Sequence, residues 1–237
     1  MKVLVIIPAY NEEENIERVV KELKETCPFV DYVIINDCSK DRTAQICEEN
    51  HFNYISLPSN LGIGGGVQTG YIYAVEKGYD ITIQYDGDGQ HNARYIKDLI
   101  KPLENGEADM TIGSRFIEKE GFQTSAMRRT GINILKGVIR LCAGVTATDS
   151  TSGFRACNRE LTSFFAQHYA QDYPEPEAIV AASRSGFRVM DVPVVMNERI
   201  GGVSSIGLMD SIYYMIKVNL AIFACRLVYR KVRRKER

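Results

Sequence analysis

The stretch VLVIIPAYNEE at residues 3–13 decides the fold that this sequence predicts. It begins with five valine, leucine and isoleucine residues, the pattern of a parallel strand that is buried on both faces. After a polar turn, apolar residues recur at spacings of three and four, at Ile16, Val19, Val20 and Leu23. That spacing indicates an amphipathic helix. The stretch therefore predicts a strand–turn–helix unit whose polar turn lies at the carboxyl end of a buried strand.

The same unit repeats along the chain. Further strands are predicted at 32–35, 54–57, 81–85 and 110–112, and helices at 62–77, 96–103, 127–143 and 175–183. Residues 116–124 and 145–155 are predicted as loops, and residues 189–195 as an edge strand because they contain Pro193. Strands that alternate with helices imply an α/β fold, with an open, mostly parallel sheet and helices on both faces. The composition, 45% hydrophobic and 25% charged, is that of a globular chain and excludes a disordered or collagen-like one.

Acidic loops follow three of the predicted strands, at residues 8–12, 36–41 and 86–91. Ligands of open parallel sheets bind beyond the carboxyl ends of the strands, where these loops lie. Asp86 and Asp88 are two residues apart, so extended backbone would point both carboxylates the same way. Paired carboxylates repel unless a cation lies between them, and hard oxygen ligands suit Mg²⁺ or Mn²⁺. Gly87 would let a phosphate approach the backbone, so the loop predicts a divalent-cation site; a polar turn that only ends the strand is the simpler alternative.

A glycine-rich run, NLGIGGGVQTG, occupies residues 60–70. It does not match the dinucleotide fingerprint, because Val67 stands where the third glycine is required, and no Gly-Lys-Ser/Thr follows as in a P-loop. Two interpretations stay open. The run can aim helix N–H groups at a phosphate, or it can allow a helix to pack closely on the sheet.

These motifs resemble those of the family 2 glycosyltransferases, which have the GT-A fold. The matching segments are IIPAYNEEENI (6–16), NDCSKDRT (36–43), the glycine-rich run, DGDGQH (86–91) and GSR (113–115). Within that family, DSTSGFR at 149–155 resembles the acceptor-side motif of the polyprenyl-phosphate glycosyltransferases, the dolichol-phosphate mannosyltransferase-like branch. Residues 198–205 resemble the mobile loop of that branch. The resemblance implies one GT-A domain over 1–207, with 208–237 left as an amphipathic helix and a basic tail.

The resemblance also implies residue roles. Asp88 and Gln90, with Asp86, would hold a divalent metal, and Arg199 would contact the donor phosphates. Asp149 and Arg155 would act on the acceptor side, together with Ser152 of the same motif. The residues that would bind the nucleotide-sugar donor are Pro8, Ala9, Tyr10, Glu12, Asp37, Asp86 and Gly87.

Two acceptor chemistries stay open, and direct in-line attack would invert the anomeric centre in either. A lipid phosphate is an anion near neutral pH and needs positioning and charge neutralisation, for which Arg128, Arg129 and Arg155 are suited. A sugar hydroxyl would need a carboxylate base. The candidates for that base are Asp149, Glu175 and Glu177, and His91 is a candidate neighbour of the metal or phosphate.

The net charge of −1 hides an asymmetry. Residues 226–237 contain seven Lys/Arg and one Glu, a charge of +6, and the other 22 basic and 29 acidic residues give residues 1–225 a charge of −7. An apolar stripe with helical spacing precedes this basic end, at Ile206, Met209, Tyr213, Ile216, Leu220, Phe223 and Leu227. A basic amphipathic end suits an anionic membrane surface or a small membrane protein. Lys217 and Asn219 interrupt the apolar segment, which falls short of a spanning helix.

The sequence therefore predicts an inverting, metal-dependent transferase. It would move a hexose, with glucose or N-acetylglucosamine favoured, from a UDP-sugar to a polyprenyl phosphate such as undecaprenyl phosphate. We expect it in the cytoplasm, peripheral at the inner face of the cell membrane, with its six cysteines reduced. No nucleic-acid partner is expected, and self-association into a homo-oligomer stays open. The alternatives are a family 2 transferase that acts on a saccharide hydroxyl in polysaccharide synthesis, and a non-catalytic scaffold that binds a nucleotide sugar.

Overall fold

A computed structural model of the chain shows a seven-stranded sheet between two layers of helices. The structure describes residues 1–118, 120, 126–197 and 208–229. The strands are β1 (Val3–Ala9), β2 (Asp31–Asn36), β3 (Tyr54–Ser56), β4 (Ile81–Gln84), β5 (Met110–Ser114), β6 (Arg155–Asn158) and β7 (Val189–Pro193). The helices are α1 (Ile16–Thr26), α2 (Thr43–Glu49), α3 (Gly62–Lys77), α4 (Ile96–Glu104), α5 (Ala126–Ala143), α6 (Arg159–Gln167), α7 (Pro174–Arg184) and α8 (Leu208–Val228).

The order of strands across the sheet is β3-β2-β1-β4-β6-β5-β7. β6 runs antiparallel to both of its neighbours, and the other neighbouring pairs are parallel. The predicted open, mostly parallel α/β sheet is therefore confirmed, and β7, with Pro193, lies at its edge as predicted. β1 is central and all seven of its residues are buried. Its alternating side chains serve both layers, because Leu4 and Ile6 join one core cluster while Val3, Val5 and Ile7 join the other.

The sequence did not predict the segment that separates β4 from β5 in the sheet. Residues 145–155 were expected to be a loop, but Arg155 begins β6, and α6 follows directly. β6 pairs with β4 from Gln84 opposite Arg155 to Ile81 opposite Asn158. A four-residue strand without β-branched residues carries little local signal, and only its two partners stabilise it.

The glycine-rich run forms the start of α3, and its glycines allow close packing. A Cβ on Gly70 would lie 2.2 Å from Cγ2 of Ile6, and a Cβ on Gly64 would lie 2.2 Å from the carbonyl oxygen of Ala170. α3 therefore lies so close to β1 and to the loop after α6 that any residue larger than glycine at these two positions would force neighbouring atoms to move. This contact supports the packing interpretation of the run.

α8 packs on α5 and α7. Its buried residues are Val218, Ile222 and Cys225, which join the core under these helices. The described part of the predicted apolar stripe lies on the other, exposed side of the helix, at Ile216, Leu220, Phe223 and Leu227. Among the described residues, no helix has both the length and the apolar character that crossing a bilayer requires.

Substituting Gly70 tests the α3–β1 contact. Gly70→Ala should lower the free energy of unfolding by about 2 kcal/mol, because the new methyl group overlaps Ile6. Gly137→Ala in α5 is the matched control, since nothing lies within 4 Å of the added Cβ. The control should gain up to about 1 kcal/mol from helix propensity. Urea unfolding measures both, and equal effects of the two substitutions would contradict the contact.

Candidate active site

The ends of β1 and β2 place the first two acidic loops side by side. Ala9 pairs with Asn36, and the N–H of Asp37 donates to the carbonyl oxygen of Ala9 at 2.9 Å. The Asp37 carboxylate is buried and accepts from the backbone N–H of Leu61, at the start of α3, at 2.7 Å. Asp37 therefore links β1, β2 and the glycine-rich segment at the carboxyl edge of the sheet.

The residues predicted to bind the nucleotide-sugar donor, at the end of β1 and in the turn that follows it, lie at this edge. Pro8 and Ala9 are buried, whereas the ring of Tyr10 is 43% exposed. The Glu12 carboxylate accepts from Nδ2 of Asn15 at 2.9 Å, and its backbone N–H donates to Oγ1 of Thr43 at 2.9 Å. These contacts fix the turn, and the exposed Tyr10 ring offers a surface to a planar ligand.

The loop after β4 lies directly on the end of β1. A Cβ on Gly87 would lie 3.1 Å from the carbonyl oxygen of Pro8 and 3.6 Å from Cγ of Glu12. Gly89 has φ +76°, which a residue with a side chain rarely adopts. The backbone N–H of Gln90 donates to Oδ1 of Asp88 at 3.0 Å, so Asp88 also stabilises the turn. The glycines therefore bring the third acidic loop against the first.

Asp86, Asp88 and Gln90 are half-exposed at this turn. Two carboxylates and an amide oxygen are hard donors that fit Mg²⁺ or Mn²⁺ when other ligands complete the shell. Within the described ranges, no group of three or more His, Cys, Asp or Glu side chains gathers in a metal-binding arrangement. The donor set thus fits a cation that shares its shell with a bound ligand and water.

His91 supports this loop from inside the protein. Its Nδ1 accepts from the backbone N–H of Asp86 at 3.0 Å, and its ring stacks on Phe154 with centroids 4.8 Å apart. Burial lowers the pKa of His91 to about 4, so the imidazole is neutral at pH 7. His91 thus holds the backbone at Asp86 through an uncharged ring, and its Nε2 lies 3.6 Å from Oδ2 of the Asp86 carboxylate.

Asp149, Ser152 and Arg155, the residues expected on the acceptor side, lie in the interior of the structure. All three side chains are buried. Asp149 is paired with Arg115, whose Nε lies 2.7 Å from Oδ2 of the carboxylate. The Arg155 guanidinium donates to the carbonyl oxygens of Ser152, Glu175 and Ser150 at 2.7, 2.6 and 3.2 Å. In this arrangement the three residues hold the 149–155 segment in place.

Gly153 brings that segment against the acidic loop. A Cβ on Gly153 would lie 2.5 Å from Oδ2 of Asp86, so the backbone there contacts the carboxylate directly. The carboxylate of Glu175, at the start of α7, belongs to the same group of side chains. Burial raises its pKa, the positive charge of Arg155 opposes that shift, and the negative charge of Asp86 adds to it.

Arg129 lies at a second, basic feature, a cavity of about 120 Å³. Its lining residues are Phe116, Arg129, Ile132, Asn133, Lys136 and Thr148. The guanidinium groups of Arg115 and Arg129 lie 5.5 and 5.6 Å from the centre of the Phe116 ring. Residues 148–153 therefore connect two features, because Thr148 lines this cavity and Gly153 contacts Asp86. A larger cavity, of about 430 Å³, lies near Asp31, where β2 begins, at the opposite edge of the sheet.

Two of the predicted site residues cannot be placed. Arg199 and the side chain of Arg128 lie outside the described residues. Sequence reasoning assigned no role to Arg115, Phe116, Lys136 or Gly153. The motif at residues 113–115 includes Arg115 and could have drawn attention to it. The pairing of Arg115 with Asp149 joins residues 34 positions apart in the sequence, so local sequence does not reveal it.

The buried His91 predicts a pH dependence of stability. Its folded pKa, about 4, is below the ordinary value of about 6.5, so on acidification the unfolded chain takes up a proton that the folded protein resists. The contribution of neutral, buried His91 to the free energy of unfolding is complete above pH 6.5 and falls between pH 6.5 and 4. The difference in unfolding free energy between the wild type and His91→Gln should shrink over that range, by at most about 3 kcal/mol. Urea unfolding across this pH range measures it, and a constant difference would contradict the assignment.

Comparison with known proteins assigns the family. Residues 4–164 match the family described as Glycosyl transferase family 2. The chain is 29% identical over 216 residues to the polyprenol monophosphomannose synthase of Mycolicibacterium smegmatis, which covers 86% of this chain and 80% of that protein. It is 30% identical over 212 residues to the UDP-N-acetylglucosamine–dolichyl-phosphate N-acetylglucosaminyltransferase of Methanococcus voltae, covering 81% of this chain and 84% of that protein.

A solved structure with the same fold is glucosyl-3-phosphoglycerate synthase from Mycobacterium tuberculosis in complex with Mn²⁺, UDP-glucose and phosphoglyceric acid. Its TM-score is 0.71 at 17% identity, and the match covers 95% of this chain and 79% of that one. The expected GT-A fold and the resemblance to the polyprenyl-phosphate branch are thereby confirmed. The chain belongs to glycosyl transferase family 2 and is a glycosyltransferase.

Proposed function

We propose that this glycosyltransferase moves a hexose, glucose or N-acetylglucosamine, from a UDP-sugar to a polyprenyl phosphate, with inversion at the anomeric carbon. The observation that carries the proposal is the basic cavity lined by Arg129 and Lys136, which residues 148–153 connect to the acidic loop. The sites for an anionic donor and for an anionic acceptor would then lie at the two ends of one short segment. The names of the mycobacterial and archaeal relatives, which act on polyprenol or dolichyl phosphate, support this acceptor class.

The donor would bind at the carboxyl edge of the sheet, over β1 and β2. Tyr10 would offer its exposed ring to the uracil. Glu12 follows two residues further along the turn, and the backbone N–H of Asp37 donates to the carbonyl oxygen of Ala9. Asp88 and Gln90, with Asp86, would hold Mg²⁺ or Mn²⁺. When bound, this ion supplies positive charge against the diphosphate leaving group. The UDP-glucose and Mn²⁺ in the mycobacterial synthase support this donor class and this cofactor.

The acceptor phosphate would enter the cavity beside Phe116. Arg129 and Lys136 supply donors for its oxygens, and the charge-assisted contacts orient it for attack. Because the phosphate oxygen is already anionic, it needs no proton acceptor. Asp149, Ser152 and Arg155 would then act indirectly, by holding the 148–155 segment between the two sites.

The protein would work at the cytoplasmic face of the cell membrane, attached peripherally through residues 208–237. The acceptor is a lipid, and the exposed apolar stripe of α8 precedes the basic residues at 230–237 in the sequence. A bilayer surface or a small membrane protein would both suit this end of the chain.

A second candidate is transfer to a saccharide hydroxyl. The carboxyl group of Glu175 lies in the same cluster as Asp86, and burial raises its pKa, which makes the carboxylate a stronger proton acceptor. The position of this carboxylate is the observation that favours the candidate over a simple helix-start charge.

The direct test is incorporation of radiolabelled sugar into a membrane lipid extract, with a panel of UDP- and GDP-sugars and with Mg²⁺ or Mn²⁺. We expect a labelled, acid-labile lipid from a UDP-hexose, and no product when the metal is chelated. Asp88→Asn should lower the rate at least about a hundredfold, because it removes a charged ligand. Asp98→Asn, an exposed acid of α4, is the matched control and should keep full activity. Absence of lipid-linked product with every donor would contradict the proposal.

Two substitutions separate the candidate acceptors. Arg129→Gln should raise the KM for polyprenyl phosphate about tenfold and leave donor binding unchanged, because it removes a charge-assisted contact. Glu175→Gln should lower kcat for the lipid phosphate by less than about tenfold if no base is needed. A loss of several decades of kcat in Glu175→Gln, together with an unchanged KM in Arg129→Gln, would favour the hydroxyl acceptor instead.

A further inference from the structure

α5 and α8 lie side by side and run in the same direction. A Cβ on Gly131 would lie 3.3 Å from Sδ of Met215, near the beginning of both helices. Near their ends, Arg226 donates from its guanidinium to the carbonyl oxygen of Leu141 at 3.0 Å. Two contacts of the same order along both helices define one continuous seam between them.

Large apolar side chains emerge on the outer side of this seam. Ile216 and Leu227 directly follow the seam residues Met215 and Arg226, and Leu220 and Phe223 lie between them at helical spacing. Leu220 is 64% exposed and Leu227 is 82% exposed. α5 contributes Ile134 and Leu141, which are also exposed. We call these six residues the α5–α8 face.

The six residues of the α5–α8 face lie on the sides of the two helices that point away from the core. The core-facing residues, Leu135 and Ile139 of α5 and Val218 and Ile222 of α8, are buried in the same cluster on the opposite side of each helix. Exposed apolar side chains that are grouped on one surface are typical of interaction sites, whereas single ones are ordinary.

The two helices that carry the α5–α8 face have an excess of basic residues. α5 contains four Lys/Arg and no acidic residue, and α8 has no acidic residue after Asp210. Arg129, Lys136 and Arg140 follow one another on α5 at spacings of seven and four, so they form a basic edge along the helix. An apolar centre with a basic edge complements a bilayer with anionic head groups, whereas an ordinary protein partner would present acidic side chains in specific places.

We propose that the α5–α8 face is the surface on which this protein sits on an anionic lipid bilayer. This inference deepens the proposed function. Its consequence for acceptor delivery rests on that function, whereas the docking itself does not. Arg129 and Lys136 belong both to the basic edge and to the cavity proposed for the acceptor phosphate. Docking through this face would place the cavity mouth at the depth of the lipid head groups. A polyprenyl phosphate would then reach the cavity while its hydrocarbon chain stays in the bilayer.

Vesicle flotation tests the docking without any substrate. The complete chain should float with vesicles of phosphatidylcholine and phosphatidylglycerol, and bind vesicles of phosphatidylcholine alone at least about fivefold more weakly. High salt should weaken the first interaction, because it screens the basic edge.

Paired variants test the face itself. Leu220→Ser with Leu227→Ser should lower vesicle binding about tenfold or more, because two apolar side chains no longer enter the bilayer. The control is Ile72→Ser with Val75→Ser, two exposed apolar residues of α3, which should bind as the wild type does. Arg140→Gln should lower binding about fivefold, and Lys101→Gln, an exposed lysine of α4, should not. All these side chains are exposed or at helix surfaces, so melting temperatures should stay within a few degrees and separate docking from misfolding.

A water-soluble, short-chain prenyl phosphate separates this inference from the proposed function. The Leu220/Leu227 double variant should transfer sugar to this acceptor at the wild-type rate and lose transfer to long-chain polyprenyl phosphate in vesicles. If the wild type uses neither acceptor, the proposed function fails, while flotation still decides on the docking.

Three results would overturn the inference. The first is absence of wild-type binding to anionic vesicles. The second is equal vesicle binding by the Leu220/Leu227 variant and the wild type. The third is a wild-type dimer in sedimentation that the double substitution dissociates, without vesicle binding by either form, because the face would then join two copies of the chain.

Discussion

The buried guanidinium of Arg155 is the interaction on which the rest of the site depends. Removing a charge from water costs several kcal/mol unless its donors are satisfied, and Arg155 satisfies them with three backbone carbonyl groups. Two of these carbonyls belong to the 149–155 segment and the third begins α7. One side chain therefore fixes an irregular segment and a helix start at the same place, which no regular hydrogen-bond ladder could do.

That fixed segment holds the acidic loop and the basic cavity close together, although the ligand proposed for each of them is negatively charged. Gly153 meets the carboxylate of Asp86, and Thr148 reaches the basic cavity, where its hydroxyl and backbone N–H also contact Asp191. Donor and acceptor of the proposed reaction both carry phosphate groups. A rigid spacer between the acidic loop and the basic cavity would keep the two substrates of the proposed transfer in a defined geometry, and such positioning lowers the barrier of a reaction between two bound groups.

Much of this arrangement follows from local sequence. The apolar run of β1, the acidic turns after β1, β2 and β4, and the glycine-rich start of α3 occur in the structure where the sequence predicts them. Their signals are local, because strand burial, turn chemistry and helix periodicity are properties of neighbouring residues. The contacts of Asp149, Ser152 and Arg155 with an acceptor stay a prediction. In this structure their side chains are buried and hold the backbone, and the motif alone does not reveal this supporting role, because it depends on burial and partners.

The sequence by itself determined the α/β class and the order of the acidic loops, and it supplies the donors that we propose for a cation. The tertiary structure alone decided the antiparallel insertion of β6, the pairing of Arg115 with Asp149, and which side of α8 is buried. α8 carries apolar residues on several sides, so periodicity cannot select a face, and contact with α5 and α7 makes that choice. The physical reason is common to all three. Each of these three features depends on contacts between residues that are distant in the chain. Such contacts stabilise the structure only once the helices have packed on the sheet.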